Sequence, residues 1–122
     1  MGKNILIVED SPTMRAFIAS AIESYGTYEV YESATGFEAL KLLPQIQFSM
    51  IVTDINMPDI NGLELISFVR KNQQYKDIPL VIISTEGTVM DRQKGMALGA
   101  NEYLVKPFKP EDLQGILKRY IG

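Results

Sequence analysis

Four apolar segments of this chain are each followed by side chains that could bind or receive a phosphoryl group. They are Glu9 and Asp10 after residues 5–8, Asp54 after residues 50–53, Ser84 after residues 80–83, and Lys106 after residues 103–105. If these segments are parallel strands of one sheet, their carboxyl ends meet at one edge, which is where open α/β sheets bind ligands. The carboxylates, the hydroxyl and the amine would then share a single site.

Together these side chains suit phosphoryl transfer, which needs mainly positioning and charge stabilisation. Carboxylates that share a crevice repel one another unless a positive group lies among them, so Glu9, Asp10 and Asp54 predict a bound cation. Mg²⁺ prefers oxygen ligands and keeps several of its waters, so two or three carboxylates and a backbone carbonyl are enough to bind it. With Lys106, such a cation would neutralise the oxygens of a phosphoryl group at Asp54.

Taken singly, each of these residues has a simpler interpretation. Glu9 and Asp10 could cap a helix N-terminus, and Asp54 could be a turn residue. Lys106 could form a structural ion pair with Asp10 or Asp54, and Ser84 could be a small polar residue at the end of a strand. The combination of all five favours the shared site.

Strand-like and helix-like patterns alternate five times, which is typical of βα units around a parallel sheet. The predicted strands are 5–8, 28–32, 50–53, 80–83 and 102–105, and the predicted helices are 14–25, 37–43, 63–69, 90–98 and 113–120. Strand 28–32 is the more polar one and is predicted to lie nearer an edge. The fourth helix contains Gly95 and ends at Gly99, so we expect it to be the least stable by propensity.

Composition narrows the possible functions. A chain of 122 residues is expected to form one domain, 1–122, and it contains neither cysteine nor histidine, which removes the commonest ligands of transition metals. The formal charge of −3, with scattered Lys and Arg, argues against direct binding of nucleic acid. No apolar run approaches the roughly 20 residues that span a bilayer, so we expect a cytoplasmic protein without membrane insertion.

The order of the motifs resembles a known family. The chain resembles the response-regulator receiver domains of two-component signalling in four motifs. They are Glu9-Asp10, Asp54 with Met57-Pro58 and Gly62, Ser84, and Lys106-Pro107-Phe108. The similarity covers essentially the whole chain, and residues 11–15 with Asn56 and Glu86 look most like the single-domain chemotaxis regulators. The resemblance implies a doubly wound, flavodoxin-like α/β fold in three layers, with a five-stranded parallel sheet of order 2-1-3-4-5 and five helices.

The resemblance also implies a role for each matching residue. Asp54 would be the nucleophile that receives a phosphoryl group from a histidine kinase, with Ser84 and Lys106 binding the phosphate oxygens. The implied ligands of Mg²⁺ are Asp10, Asp54, the backbone carbonyl of Asn56, and Glu9 directly or through water. The chain would catalyse only its own phosphorylation and dephosphorylation, as a signalling switch and not an enzyme.

The implied switch links the phosphate to a binding surface. Tyr103 would turn inward when Ser84 moves toward the phosphate, and in the resting state we expect a half-buried strand tyrosine. The change would remodel the surface of the fourth helix, the fifth strand and the fifth helix, where a downstream protein would bind. A flagellar motor, an output kinase and a role as phosphate sink all fit, a phosphatase is a further partner, and the state would be a monomer or a phosphorylation-dependent dimer.

Three residues are implied to tune dephosphorylation. Thr85 stands where a small alanine is more usual in the family, so we expect it to crowd the approach of water and prolong the phosphoryl state. Asn56 and Glu86 would flank the path of the water, although solvated loop residues are an equally good description of both.

Two other functions fit the pattern less well, and a third is a variant of the receiver function. A flavodoxin-like carrier of flavin mononucleotide would need a phosphate-binding loop after the first strand, where Glu9 and Asp10 would repel the ligand. An aspartyl-phosphate hydrolase would need an acid at position 56, and Asn56 cannot transfer the proton. The chain could also be the receiver part of a longer regulator with a DNA-binding or enzymatic output domain, although the absence of a linker after the last helix favours a stand-alone protein.

Overall fold

In the computed structural model, which describes residues 3–57, 59–85 and 89–122, five strands and five helices alternate. The strands are β1 (Lys3–Val8), β2 (Tyr28–Ser33), β3 (Met50–Asp54), β4 (Leu80–Ser84) and β5 (Glu102–Val105). The helices are α1 (Pro12–Glu23), α2 (Gly36–Leu42), α3 (Gly62–Lys71), α4 (Val89–Ala97) and α5 (Pro110–Tyr120). Every predicted element is therefore present, with ends that differ by a few residues.

The strands form one sheet in the order β2-β1-β3-β4-β5, and all four neighbouring pairs are parallel. This confirms the doubly wound fold, and it places β2 at an edge, as its polar pattern predicted. The register pairs Val8 with Thr53 and Asp54 with Ile83. The carboxyl ends of the central strands therefore lie side by side.

Two hydrophobic clusters fill the space between the sheet and the helices. Successive strand residues point to opposite faces, so Ile5 and Ile7 pack with α1 and α5, whereas Leu6 and Val8 pack with α2 and α3. The cluster that contains Leu6 and Val8 also includes the helix residues Ala39, Leu65 and Ile66. Both faces of β1, β3 and β4 are covered, which explains why these strands are continuous apolar runs.

Helix α4 contains a glycine because it packs closely against β4. Gly95 is buried, and a Cβ at this position would lie 2.5 Å from Cδ1 of Ile82. Gly99 follows the helix with φ +116°, the left-handed conformation in which glycine commonly ends helices. The predicted end of the helix is confirmed, and the close approach to β4 accounts for a residue that propensity alone counts as unfavourable.

The N-terminus of α1 is capped by Ser11, whose hydroxyl accepts a hydrogen bond from the Met14 amide at 3.3 Å. Pro12 occupies the first turn, as predicted. The side-chain cap of α1 is therefore Ser11 and not Glu9 or Asp10, although Glu9 does accept the Ser11 amide at 3.1 Å just before the helix.

Within the described part of the chain, no helix is both long and apolar enough to cross a membrane.

Gly62 begins α3 directly against the backbone of Asp54. Its amide donates to the Ile55 carbonyl at 2.8 Å, and a Cβ would lie 2.2 Å from the Asp54 carbonyl oxygen. Neither backbone can give way without moving the end of β3. The position of Asp54 thus depends on the absence of a side chain at residue 62.

We expect Gly62→Ala to lower the free energy of unfolding by about 2–3 kcal/mol, because the added methyl group overlaps backbone atoms. The matched control is Gly115→Ala in α5, where a Cβ meets nothing within 4 Å. There the better helix propensity of alanine should raise stability by up to ~1 kcal/mol. Urea denaturation of both variants measures the two effects, and equal behaviour would contradict the close approach at Gly62.

Candidate functional site

The structure brings together the side chains that the sequence predicted at the carboxyl edge of the sheet. Asp54 is the last residue of β3, Glu9 follows β1, and Lys106 follows β5. The Lys106 ammonium lies 2.9 Å from Oε1 of Glu9 and 3.7 Å from Oδ2 of Asp54. Residues that are 97 positions apart in the sequence thus form one ion-pair group.

Glu9 is the main ionic partner of Lys106. Its side chain is almost fully buried, and its second oxygen, Oε2, accepts a hydrogen bond from the Ser11 amide at 3.1 Å. The simpler interpretation of Lys106 as an ion-pair partner of Asp54 is confirmed at 3.7 Å, but its closest carboxylate is that of Glu9, which that interpretation did not include. Burial accounts for the preference for Glu9 over exposed Asp10, because a buried carboxylate needs a close counter-charge more than an exposed one does.

Asp54 is held in place by its own neighbour. Asp54 is 7% exposed, and its Oδ1 accepts a hydrogen bond from the Ile55 amide at 2.8 Å. Burial, followed by the charge of Glu9, raises the pKa of Asp54 to about 6, while Lys106 and the Ile55 amide act in the opposite direction. Without a further cation, the charge of the ionised Asp54 carboxylate is therefore only partly neutralised.

Three carboxylates form a donor set for a hard cation. One oxygen each from Glu9, Asp10 and Asp54 lies within 4.8 Å of the other two, and Asp10 is exposed to solvent. Lys106 supplies one ammonium to this group of three acids. The oxygen ligands, their excess negative charge and the open side at Asp10 all fit Mg²⁺, which binds through a few carboxylates and keeps several waters.

Ser84 and Lys106 are joined through the backbone. The Lys106 amide donates to the Ser84 carbonyl at 2.8 Å, and Ser84 ends β4 as a fully buried residue. The Lys106–Pro107 peptide bond is cis, as the sequence allowed. The hydrogen bond between Lys106 and Ser84 joins the ends of β4 and β5 beside Asp54.

Arg15 is a residue whose role the sequence analysis missed. Its Nη1 donates to the Glu9 carbonyl at 2.8 Å, and its Nε donates to Oε1 of Glu32 at 3.2 Å. This guanidinium ties the first turn of α1 to the β1–α1 loop and to β2. A sequence signal did exist, because position 15 falls one helical turn after the Ser11 cap, but nothing in the pattern indicates a carbonyl partner.

Tyr103 differs from the half-buried residue that was expected. It is 4% exposed and belongs to the core cluster, and the Arg92 guanidinium lies 5.8 Å from the centre of its ring. Arg92 also donates to the Tyr103 carbonyl at 3.1 Å. The reason for the correction is packing, since the ring lies within the core cluster and at ordinary contact distance from Gly95 of α4.

The residues predicted to tune dephosphorylation lie in exposed loops or outside the description. Asn56 and Thr85 are both exposed, each close in sequence to the end of its strand, two residues after Asp54 and one after Ser84. Glu86 lies outside the described residues, as does Pro58 of the Met57-Pro58 motif.

Because the pKa of Asp54 is raised, ionisation of its carboxylate should lower the stability of the metal-free protein in a pH-dependent way. The folded protein binds the proton more tightly than the unfolded chain, so this contribution to stability is present below pH ~4 and is lost as the pH rises through about 6. We expect Asp54→Asn to be more stable than the parent by about 2 kcal/mol at pH 7.5, and equal to it at pH 4.

Urea denaturation in a chelating buffer at the two pH values measures this difference. Glu23→Gln, which removes an exposed carboxylate at the end of α1, serves as the control and should change little at either pH. An Asp54→Asn variant that is no more stable at pH 7.5 would show that the site does not oppose the ionisation of Asp54.

Comparison with known proteins gives a consistent result over nearly the whole chain. A family model described as the response regulator receiver domain matches residues 5–118. A chemotaxis protein CheY homolog of Campylobacter jejuni is 38% identical over 119 residues, which are 97% of this chain and 92% of the relative. The probable transcriptional regulator ycf29 of Pyropia yezoensis is 35% identical over 122 residues, which are 100% of this chain and 54% of the relative.

A solved structure matches equally well. The receiver domain of the sensor histidine kinase PA1611 from Pseudomonas aeruginosa, with a magnesium ion coordinated in its active-site cleft, superposes with a TM-score of 0.90. It is 31% identical, and the match covers 100% of this chain and 99% of that one. With the family model covering most of its length, the chain belongs to the response regulator receiver domain family.

Proposed function

We propose that this chain, as a single receiver domain over residues 1–122, is a phospho-accepting switch in which Asp54 receives a phosphoryl group from a histidine kinase. The observation that carries the proposal is the surroundings of Asp54. Its carboxylate lies at the end of β3, 3.7 Å from the Lys106 ammonium and within 4.8 Å of oxygens from Glu9 and Asp10. Such a site combines a nucleophile with charges that stabilise phosphoryl transfer.

The transfer itself needs little beyond positioning. An oxygen of Asp54 forms the new O–P bond as the P–N bond to the donor imidazole breaks, and the imidazole nitrogen keeps that electron pair. Lys106 binds one phosphate oxygen and Ser84 binds another. Water later attacks phosphorus, breaks the bond to Asp54 and releases inorganic phosphate, so the chain turns over only its own phosphoryl group.

The carboxylates of Glu9, Asp10 and Asp54 and the backbone carbonyl of Asn56 are the proposed ligands of Mg²⁺, with Glu9 acting directly or through water. When bound, the ion would offset the negative charge of both the carboxylates and the phosphoryl oxygens. The fit depends on the short oxygen separations and on the single ammonium among three acids. Glu9 is already paired with Lys106 and would therefore respond to the ion through that pair.

We propose that the switch acts through Ser84 and Tyr103 on the surface formed by α4, β5 and α5. This surface has exposed apolar side chains, including Val89, Met90 and Met96 on α4 and Val105 on β5. Tyr103 already lies beneath α4 against Gly95, so a change in its position would reach that helix directly. A downstream protein with a complementary apolar face is the expected partner.

The similarity to CheY favours a role in chemotaxis or motility, with a flagellar motor as one candidate target. A second candidate function is supported by ycf29, of which this chain spans only 54%. On that alternative the chain is the receiver part of a longer regulator with its own output domain. Co-purification of the tagged chain with motor proteins would support the first role. Detection of a longer native product would support the second.

Incubation with acetyl phosphate and MgCl₂ should give a single phosphoryl adduct by intact-mass analysis. The adduct should be absent in EDTA and in Asp54→Asn, and it should be released by hydroxylamine, as acyl phosphates are. Lys106→Ala should unfold at a lower urea concentration than the parent, because buried Glu9 loses its counter-charge. Under conditions in which it is folded, it should lose most of the labelling, because the transferred oxygens also lose a counter-charge. A folded parent that is not labelled would contradict the proposed function.

Thr85→Ala should shorten the lifetime of the phosphoryl group by roughly two- to fivefold, less than the tenfold change that ~1.4 kcal/mol would give. The reason is that a smaller side chain next to Ser84 would admit water more easily. The decay of the adduct after removal of acetyl phosphate measures the effect. Thr27→Ala, an exposed threonine between α1 and β2, is the control, and equal decay in both variants would contradict the role of Thr85.

A further inference from the structure

The loop between β3 and α3 is tied to a helix that is distant in sequence. Asp59 lies in this loop, and its carboxylate accepts two hydrogen bonds from the N-terminus of α2. Oδ1 accepts the Gly36 amide at 3.2 Å, and Oδ2 accepts the Phe37 amide at 2.9 Å. Two of the free amides that begin α2 are thus satisfied by a residue from another segment of the chain.

The remaining cap of α2 comes from within the helix region. The Thr35 hydroxyl accepts the Glu38 amide at 3.1 Å, and the Glu38 carboxylate accepts the Ala34 amide at 2.8 Å. Asp59 is therefore not needed to start the helix. Its bonds do something that Thr35 cannot do, since they connect α2 to the loop.

A second contact supports the same connection. A Cβ at Gly36 would lie 2.7 Å from the Ile60 carbonyl oxygen and 2.8 Å from its Cβ. The loop and the helix therefore approach each other as closely as glycine permits. The pKa of Asp59 is lowered by the backbone amides of Ile60, Phe37 and Gly36, as expected for a carboxylate that accepts these bonds.

The tie at Asp59 acts on a short segment that carries part of the site. At its base the loop is closed by the Gly62 amide, which donates to the Ile55 carbonyl at 2.8 Å. Asn56 lies between this closure and Asp59. A backbone carbonyl becomes a metal ligand at lower entropic cost when the segment that carries it is already ordered.

We propose that Asp59 is a positioning residue for the Mg²⁺ site, which orders the β3–α3 loop by binding it to the N-terminus of α2. This inference rests on the proposed function, because it takes the Asn56 carbonyl as a ligand. In this role the acidic side chain at position 59 would not be a ligand of the ion, because its oxygens accept the Gly36 and Phe37 amides. Its effect is on affinity for the ion through the order of residues 55–57.

The test compares Asp59→Ala with Thr35→Ala. Both variants remove a capping interaction of α2, but only the first one frees the loop. Asp59→Ala should raise the Mg²⁺ dissociation constant by about three- to tenfold in isothermal titration calorimetry. Asp59→Asn, which keeps one carbonyl oxygen as an acceptor, should fall between that variant and the parent, and Thr35→Ala should stay within about twofold of the parent.

Amide hydrogen exchange without Mg²⁺ gives an independent readout. In Asp59→Ala, protection should fall at Phe37 and at residues 55–57, whereas in Thr35→Ala it should fall at Glu38 and leave residues 55–57 unchanged. The inference is overturned if residues 55–57 exchange as in the parent, or if Thr35→Ala weakens Mg²⁺ binding as much as Asp59→Ala does.

The two proposals can fail separately. A parent chain that binds no Mg²⁺ would contradict the proposed metal site, and the exchange experiment would still decide whether Asp59 orders the loop. A parent that binds Mg²⁺ normally, with no change in Asp59→Ala, would contradict only the role of Asp59. Calorimetry with Asp54→Asn, which removes a proposed ligand, shows whether the measured heat belongs to this site.

Discussion

The ion pair between Lys106 and Glu9 is the interaction on which the carboxyl edge of the sheet depends. Glu9 is almost fully buried, and a buried carboxylate without a counter-charge would destabilise the fold strongly. The same ammonium lies 3.7 Å from Asp54, so one positive group serves two buried acids. Burial and then the charge of Glu9 raise the pKa of Asp54, and Lys106 only partly offsets them, so the site keeps an attraction for further positive charge.

The sequence contained most of the fold and the members of the central site. Continuous apolar runs predicted the central strands, and the polar residues at their ends predicted which side chains would meet, because a parallel sheet aligns carboxyl ends. It did not show which groups would pair within the site. Lys106 pairs with Glu9 and Arg15 binds the Glu9 carbonyl because of strand register and helix orientation, and neither of these follows from residue type. The burial of Tyr103 likewise depends on its packing within the core cluster, which residue type alone does not indicate.

Close backbone approaches explain why two glycines frame the β3–α3 loop. Gly62 lies against the Asp54 carbonyl, and Gly36 lies against the Ile60 carbonyl. Each approach brings an amide to an acceptor: Ile55 for the first, Asp59 for the second. The loop is therefore held at its base by a backbone hydrogen bond and farther out by the Asp59 carboxylate, which suits the proposed use of the Asn56 carbonyl as a ligand.

The two sides of the site carry different groups, with contacts to the acids on the β1–β3 side and an exposed apolar helix surface on the β4–β5 side. On the β1–β3 side, Arg15, Ser11 and the two close glycine contacts restrain the acids. On the β4–β5 side, α4 has Gly95 as its buried residue and exposes Val89 and Met90. Phosphorylation can shift an equilibrium only through interactions that differ between two states. A phosphoryl group at Asp54 would compete with Glu9 for Lys106, whose amide is bonded to the Ser84 carbonyl, so the change in charge would reach the ends of β4 and β5.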